Sequence, residues 1–202
     1  MTQDLVTMVK LSWSEYFRQI AHTVKLKSKD KTTQIGAVIV GTHNEIRSTG
    51  YNSFPRNIDD FREERQERPE KYYWMEHAER NAIINAARIG VSTNNCTIYL
   101  TCDIPCVDCT RAIINSGIKI IFCEKGEGAK GTIWDGHAER SIQMLREAKC
   151  TVWYYGERVP LIDIGEMKYW HPSKFTGDTT PVITEKDVMN LVESMTDDKW
   201  KR

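Results

Sequence analysis

Apolar residues follow two different spacings along the chain. Residues 12–15 match a capping box, and apolar positions then recur at helical spacing, which predicts a helix from residue 13 toward residue 27. A Val- and Ile-rich run at residues 34–41 and a second segment at residues 45–50 flank a His-Asn turn. These two segments predict a β-hairpin.

Predicted helices and strands alternate after the hairpin. Helical spacing covers residues 76–89, 106–116 and 137–149, and short strand-like runs cover residues 97–101, 118–123 and 151–155. A helix between two strands favours a right-handed parallel crossover. The pattern therefore predicts a three-layer α/β/α fold, with helices on both faces of a mixed five-stranded sheet that is antiparallel at its start.

The alternation stops at residue 156, so we expect one domain over residues 1–156. Residues 157–202 form a predicted C-terminal extension with one helix, which begins near Thr184. Within the domain, residues 52–70 are polar and carry mixed charges. This segment is predicted to be an exposed loop with a short helix, or alternatively a binding segment that gates a site.

Charge and composition limit the classes of function. Lysine plus arginine and aspartate plus glutamate both number 28, so no overall field attracts a long nucleic acid or an anionic membrane. The first residues lack the pattern of a signal peptide, and the longest apolar runs are too short to cross a bilayer. Six cysteines are too few for a disulfide scaffold. We expect a soluble cytoplasmic protein.

Two short segments carry candidate metal ligands. His77 and Glu79 begin one predicted helix, and Cys106 and Cys109 begin another, with Pro105 as its expected first helical residue. The cysteines are three positions apart and share a helix face. His77 and Glu79 are two apart and converge only if the site lies beyond the helix end. The pattern predicts that two helix N-termini point at one metal ion.

One histidine and two thiolates suit Zn²⁺ and leave a fourth position for water, whose pKa zinc lowers to about 7. Glu79 is then available to move protons, and together these groups favour hydrolytic deamination. A structural zinc site with Cys102 as fourth ligand is the alternative, and a redox Cys-x-x-Cys pair is another. The remaining cysteines are expected as small apolar residues in or beside strands: Cys96, Cys123 and Cys150.

The tetrapeptide His-Ala-Glu-Arg occurs twice, at residues 77–80 and 137–140. The second copy is not followed by a Cys-x-x-Cys pair. We expect it to begin a surface helix, and a second metal site is the alternative.

Residues 12–156 resemble the deoxycytidylate deaminase branch of the cytidine deaminase-like superfamily. The zinc signature, residues 29–40, the Gly50-Tyr51-Asn52 turn and residues 77–83 carry the resemblance. It implies a zinc enzyme that converts dCMP to dUMP for thymidylate synthesis. It also implies that Asn52 hydrogen-bonds the nucleotide and that the Ala78 backbone meets the amine.

Three arginines are candidates for phosphate contact: Arg56, Arg80 and Arg88. Residues 53–57 depart from the glycine-rich turn of many relatives, near the place where regulated relatives bind dCTP and dTTP. The usual base-stacking aromatic residue is absent, and Trp134 is the candidate to replace it. The resemblance implies a homo-oligomer, with a hexamer favoured, and dCTP and dTTP effectors with Mg²⁺.

Other functions stay open at this point. They are a tRNA adenosine deaminase, a deaminase of another cytosine nucleotide such as dCTP, and a sensor that binds nucleotides and keeps the zinc.

Overall fold

The computed structural model describes residues 11–60, 62–126, 136–158 and 160–162. Trp134 and nearly all of the predicted C-terminal extension lie outside these residues, so its helix stays a prediction. The elements in chain order are α1 (Trp13–Lys25), β1 (Gly36–Val40), β2 (Ile46–Tyr51), a 3-10 helix (Glu63–Arg65), α2 (Lys71–Trp74), α3 (Ala78–Arg88), β3 (Thr97–Leu100), α4 (Val107–Asn115), β4 (Ile120–Cys123), α5 (His137–Glu147) and β5 (Thr151–Tyr154).

The first helix and the hairpin form where the sequence pattern predicts them. Ser12 caps α1, because its Oγ accepts a hydrogen bond from the Glu15 N–H at 3.2 Å. The buried side chains of α1 are Phe17 and Ala21. Strands β1 and β2 pair antiparallel, with Val38 opposite Thr49.

The sheet has the order β2-β1-β3-β4-β5. Strand β1 is antiparallel to both of its neighbours, whereas β3, β4 and β5 run parallel to one another. The predicted mixed five-stranded sheet is therefore confirmed. Because β3 and β4 are parallel, they end at the same edge of the sheet, and the helices that follow them start there.

Helices cover both faces of the sheet. Ala37 and Ile39 of β1 lie in a core cluster with Ala78 and Ala82 of α3. Successive strand residues point to opposite faces, so Val38, which is fully buried, faces α1. On that second face the rings of Phe17 in α1, Tyr99 in β3, Phe122 in β4 and Trp153 in β5 form a continuous row, with centroids 5.0 to 6.1 Å apart.

Close contact with β2 fixes the start of α3. A Cβ on Gly50 would lie 2.4 Å from the Ala78 carbonyl oxygen and 2.3 Å from the Ala82 nitrogen, so only glycine allows this approach. Ser48 Oγ also donates to the Ala82 carbonyl at 2.8 Å. These contacts hold the residues around His77 against the end of the hairpin.

The chain continues to pack after β5. Val152 and Ile162 form an isolated antiparallel bridge, and Ile162 is 2% exposed within the core cluster. Packing thus extends six residues beyond the predicted domain boundary at residue 156. Of the helices in the described part of the chain, none combines the length and the apolar character needed to span a membrane.

Candidate active site

The structure brings together the three predicted metal ligands. His77 is the N-cap of α3, Cys106 is the N-cap of α4, and Cys109 lies in the first turn of α4. Helix α4 starts one residue after Cys106, so Pro105 precedes the cap and is not the first helical residue as predicted. His77 Nδ1 lies 3.6 Å from Cys106 Sγ and 3.4 Å from Cys109 Sγ.

These distances fit a tetrahedral zinc ion. With Zn–S and Zn–N bonds of about 2.3 and 2.05 Å and a tetrahedral angle, the ligand sulfur and nitrogen atoms are separated by about 3.6 Å. His77, Cys106 and Cys109 form the one cluster of potential metal ligands among the described residues, and their ligand atoms all lie within 4.8 Å of one another. The donor set is the one predicted for Zn²⁺.

Cys106 is poised to act as a thiolate. A hydrogen bond from the Cys109 thiol, together with His77, outweighs burial and lowers the pKa of Cys106 to about 4. The same hydrogen bond, added to burial, raises the pKa of Cys109. The positive end of the α4 dipole also favours a negative charge at this position. An anionic sulfur is the form that binds zinc.

Glu79 lies in the first turn of α3 and is 3% exposed. Burial raises the pKa of its carboxyl group, and the charge of His77 opposes this effect only in part. Cys102 Sγ lies 3.9 Å from Glu79 Oε1 and does not join the three-residue cluster. Glu79 is therefore placed beside the metal ligands as a carboxyl group that can hold or release a proton.

A cavity of about 470 Å³ opens at this site. Its lining comes from the loop before β1, the end of β2, the α2 region and the starts of α3, α4 and α5. The lining residues are Asp30, Thr33, Ile35, Asn52, Arg68, Lys71, Tyr72, Met75, His77, Ala78, Glu79, Cys102, Asp103, Ile104, Pro105, Cys106, Gly126, His137 and Ala138.

Two predicted substrate contacts, Ala78 and Asn52, line the cavity. The Asn52 amide already bonds to the chain: its Oδ1 accepts from Ile35 N and Ser28 Oγ, each at 2.7 Å. Its Nδ2 donates to the Thr33 carbonyl at 2.7 Å and to Asp30 Oδ2 at 3.3 Å. A nucleotide contact through Asn52 stays a prediction, and it requires the exchange of one of these bonds.

The predicted arginines are not part of the cavity wall that the described residues form. Arg56 is exposed and donates to Asn85 Oδ1 at 2.8 Å, on the side of α3. Arg80 is ion-paired with Glu76. Arg88 lies in the last turn of α3, at the opposite end from His77. A phosphate contact by Arg56 is therefore not supported by its position, because its guanidinium is engaged outside the cavity.

Sequence reasoning missed several residues of the cavity wall. Lys71 and Asp30 form a buried ion pair, with 2.7 Å between Lys71 Nζ and Asp30 Oδ2. Asp103 accepts hydrogen bonds from the Tyr154 hydroxyl and the Gly126 N–H, at 2.8 and 3.1 Å. Arg68 also lines the cavity. A signal existed for Arg68, because it stands in the polar segment at residues 52–70, for which a binding segment that gates a site was the alternative prediction.

His137 was expected at the start of a surface helix. It does begin α5, and residues 138–140 are exposed, but the half-buried His137 lines the cavity. The Val107 N–H, beside the metal ligand Cys106, points toward His137 Nδ1 at 3.4 Å. The second His-Ala-Glu-Arg copy therefore adds its histidine to the site formed around the first.

Comparisons with known proteins agree with this geometry. A family model described as the cytidine and deoxycytidylate deaminase zinc-binding region matches residues 11–125. A probable deoxycytidylate deaminase of Caenorhabditis elegans is 42% identical over 110 residues, which cover 52% of this chain and 54% of the worm protein. The deoxycytidylate deaminase of Enterobacteria phage T4 is 30% identical over 200 residues, covering 79% of this chain and 96% of the phage protein.

The fold also matches a solved structure. The crystal structure of dCMP deaminase from the cyanophage S-TIM5, in complex with dCMP and dUMP, has a TM-score of 0.55 and 23% sequence identity. The match covers 69% of this chain and 94% of the cyanophage chain. At this identity the comparison bears on the fold alone. The chain spans about half the length of the worm relative, so the activity of the whole protein requires its own argument.

Proposed function

The chain belongs to the cytidine and deoxycytidylate deaminase family, and from this membership we propose that it catalyses the zinc-dependent hydrolytic deamination of dCMP to dUMP and ammonia. Family membership confirms the resemblance carried by the zinc signature and its flanking segments, and the family's zinc-binding region contains the His/Cys/Cys cluster. The product dUMP is the precursor for thymidylate synthesis, as the resemblance implies.

One observation carries the proposal. Three metal ligands and the buried Glu79 meet at the N-terminal ends of α3 and α4, and His77, Glu79 and Cys106 line one cavity. A structural zinc site has four protein ligands and no need of an adjacent buried acid. Cys102 is the fourth ligand that the sequence offers for such a site, but it does not join the cluster, and its sulfur lies 3.9 Å from Glu79 Oε1.

The residues of the chain have distinct tasks in this reaction. His77, Cys106 and Cys109 hold zinc, which when bound acts as a Lewis acid and lowers the pKa of water toward neutrality. Glu79 takes a proton from the attacking water at a carboxylate oxygen and delivers protons to the ring nitrogen and the departing amine. Water and dCMP thereby become dUMP and ammonia. The buried position of Glu79 keeps competing solvent away from these transfers.

The choice of dCMP follows from the relatives. The worm and phage proteins carry the name deoxycytidylate deaminase, the former as probable. The chain has equal numbers of acidic and basic residues, which does not favour the long RNA that a tRNA deaminase binds.

The test is an ammonia-release assay of the zinc-loaded full chain on cytosine, deoxycytidine, dCMP and dCTP, with inosine formation in tRNA measured in parallel. We expect dCMP to give the highest kcat/KM. Glu79→Gln should keep one zinc per chain and lose at least about 100-fold in kcat. Unchanged activity in Glu79→Gln, or zinc-loaded protein that is inert on every cytosine nucleotide, would contradict the proposal.

Assembly, regulation and location are part of the same proposal. We take the protein to be a cytoplasmic homo-oligomer, with a hexamer favoured, and to respond to dCTP and dTTP with Mg²⁺. The support is the family resemblance. Light scattering measures the oligomer, and dCMP kinetics with each effector measure the regulation.

A further inference from the structure

The phosphate of a nucleotide needs cationic or N–H donors, and the described cavity wall offers few cations. Its basic side chains, apart from the histidines, are Lys71 and Arg68. Its acidic side chains are Asp30, Glu79 and Asp103. Of these two cations, the one whose charge is not already balanced by a carboxylate is better suited to bind a phosphate.

Lys71 is already neutralised. Its ammonium donates to Asp30 Oδ1 at 2.9 Å and to Thr32 Oγ1 at 2.7 Å, and it also lies 2.7 Å from Asp30 Oδ2. The side chains of Lys71 and Asp30 are 7% and 3% exposed. An ammonium group has three N–H donors, and two of them are used in these hydrogen bonds. The charge of Lys71 is balanced by the buried carboxylate of Asp30, so Lys71 stabilises the cavity wall and is poorly suited to bind a phosphate.

Arg68 is in a different situation. It is exposed, and within the described residues it forms no ion pair with a carboxylate; its guanidinium lies 5.9 Å from the centre of the Tyr72 ring, on the same wall. The neighbouring arginines of this segment are engaged elsewhere. Arg62 pairs with Asp59 at 3.2 Å, and Arg65 lies 3.9 Å over the Trp74 ring.

From the contacts of these cationic side chains we infer that Arg68 binds the 5′-phosphate of the substrate. This contact would set the preference for a nucleoside monophosphate over the nucleoside. The inference rests on the proposed function and adds the residue that reads the phosphate. The planar guanidinium presents paired N–H donors that match two phosphate oxygens. Glu79, His77 and Cys106 line the same cavity as Arg68, so the reacting groups and this guanidinium border one space.

The test compares dCMP with deoxycytidine, which differ only in the phosphate. For the zinc-loaded full chain, Arg68→Gln should lower kcat/KM for dCMP by about 10- to 100-fold, the range for loss of a charge-assisted hydrogen bond. It should leave kcat/KM for deoxycytidine within about twofold of the wild-type value, because the nucleoside lacks the group that Arg68 binds. Arg68→Lys, which keeps the charge but loses the planar fork, should fall between wild type and Arg68→Gln.

Arg62→Gln is the matched control. It removes the same charge from the same segment, and Arg62 does not line the cavity among the described residues. We expect the ratio of the two kcat/KM values to be unchanged. A second check uses salt, because added NaCl should weaken the use of dCMP and spare deoxycytidine. The salt effect shows that a cation meets the phosphate, and Arg68→Lys tests whether that cation is Arg68 even if Arg68→Gln folds poorly.

The outcomes separate the inference from the proposed function. If Arg68→Gln keeps the wild-type ratio, or lowers kcat/KM equally for both substrates, the assignment of Arg68 is wrong while dCMP deamination stands. Calorimetric titration of dCMP and deoxycytidine into a Glu79→Gln background gives a readout without turnover. If the wild type releases no ammonia but binds dCMP, and Arg68→Gln weakens that binding, the proposed function is overturned and the inference is supported.

Discussion

The buried ion pair between Lys71 and Asp30 leads to a quantitative prediction. Replacing Lys71 with methionine keeps most of the volume of its aliphatic stem and removes the ammonium group. The carboxylate of Asp30 then stays buried without its cation, in a side chain that is 3% exposed. We expect Lys71→Met to be strongly destabilising because it leaves a charge unpaired.

The distance between the two charges gives the size of the stability loss expected for Lys71→Met. At 2.7 Å, and with an effective dielectric constant of 20, the attraction between the two charges is about 6 kcal/mol. This is an upper limit, because the wild-type protein also bears the cost of removing the Lys71 ammonium from water. Loss of one partner from a buried pair typically costs about 3–5 kcal/mol. Asp30 keeps hydrogen bonds from the N–H groups of Thr32 and Thr33, so we expect about 3 kcal/mol.

The penalty should depend on pH. Burial opposes the ionisation of Asp30, but Lys71 and the N–H groups of Thr32 and Thr33 outweigh it and lower the pKa of the carboxyl group. In the wild type this stabilisation is present above the unfolded pKa of about 3.9 and is lost as the pH falls through the lower folded pKa. Without Lys71 the folded pKa rises, so Asp30 takes up a proton at higher pH. The cost of Lys71→Met should therefore be smaller at pH 5 than at pH 8.

Urea unfolding at fixed excess zinc measures both effects, because bound metal would otherwise shift the apparent stability. The double variant Asp30→Asn with Lys71→Met removes both charges and should recover most of the lost stability. A double variant as unstable as Lys71→Met would refute the reasoning, since the cost would then come from packing and not from an unpaired charge. A penalty below about 1 kcal/mol at pH 8 would refute it as well.

Three further predictions concern the fold and the metal. Gly50→Ala should destabilise the protein by at least about 1–3 kcal/mol in urea unfolding, because its Cβ would collide with the backbone of α3; an unchanged midpoint would contradict the close packing of α3 on β2. Ser12→Ala should cost about 1 kcal/mol in the same assay, through loss of the α1 cap. Removal of zinc with a chelator should lower the Tm of the wild type, and added zinc should restore it; His77→Ala should show no such zinc-dependent shift in calorimetry.

Much of the fold follows from patterns that act over short distances. The Ser12 cap, the helical spacing after it and the apolar run of β1 each depend on neighbouring residues, and each element forms where its pattern lies. Helix and strand ends differ from the predictions by one or two residues in most cases. The reason is that terminal turns are decided by backbone hydrogen bonds, as in α4, which begins at Val107 and not at Pro105 as predicted.

The metal ligands were also within reach of sequence reasoning, because spacing and helix-end geometry restrict where three such side chains can meet. The residues of the cavity wall could not be predicted in this way. Asp30 and Lys71 are 41 positions apart, and nothing in the local sequence of either residue indicates the other. Arg56 and Arg68 both stand in a polar loop, and only the packing of α2 against the loop before β1 decides which of them reaches the cavity.

The positions of the two His-Ala-Glu-Arg copies depend on the order and direction of the strands as well as on the local sequence. Locally the copies are equivalent, since each begins a helix: His77 is the N-cap of α3 and His137 is the first residue of α5. Because β3 and β4 are parallel, they end at one edge of the sheet, and α4 and α5 follow these two strands in the chain. His137 thus lies near Cys106, with its Nδ1 3.4 Å from the Val107 nitrogen, although no Cys-x-x-Cys pair follows the second copy. In a sheet of this kind, the place of a histidine at a helix start is decided by the preceding strand more than by its own tetrapeptide.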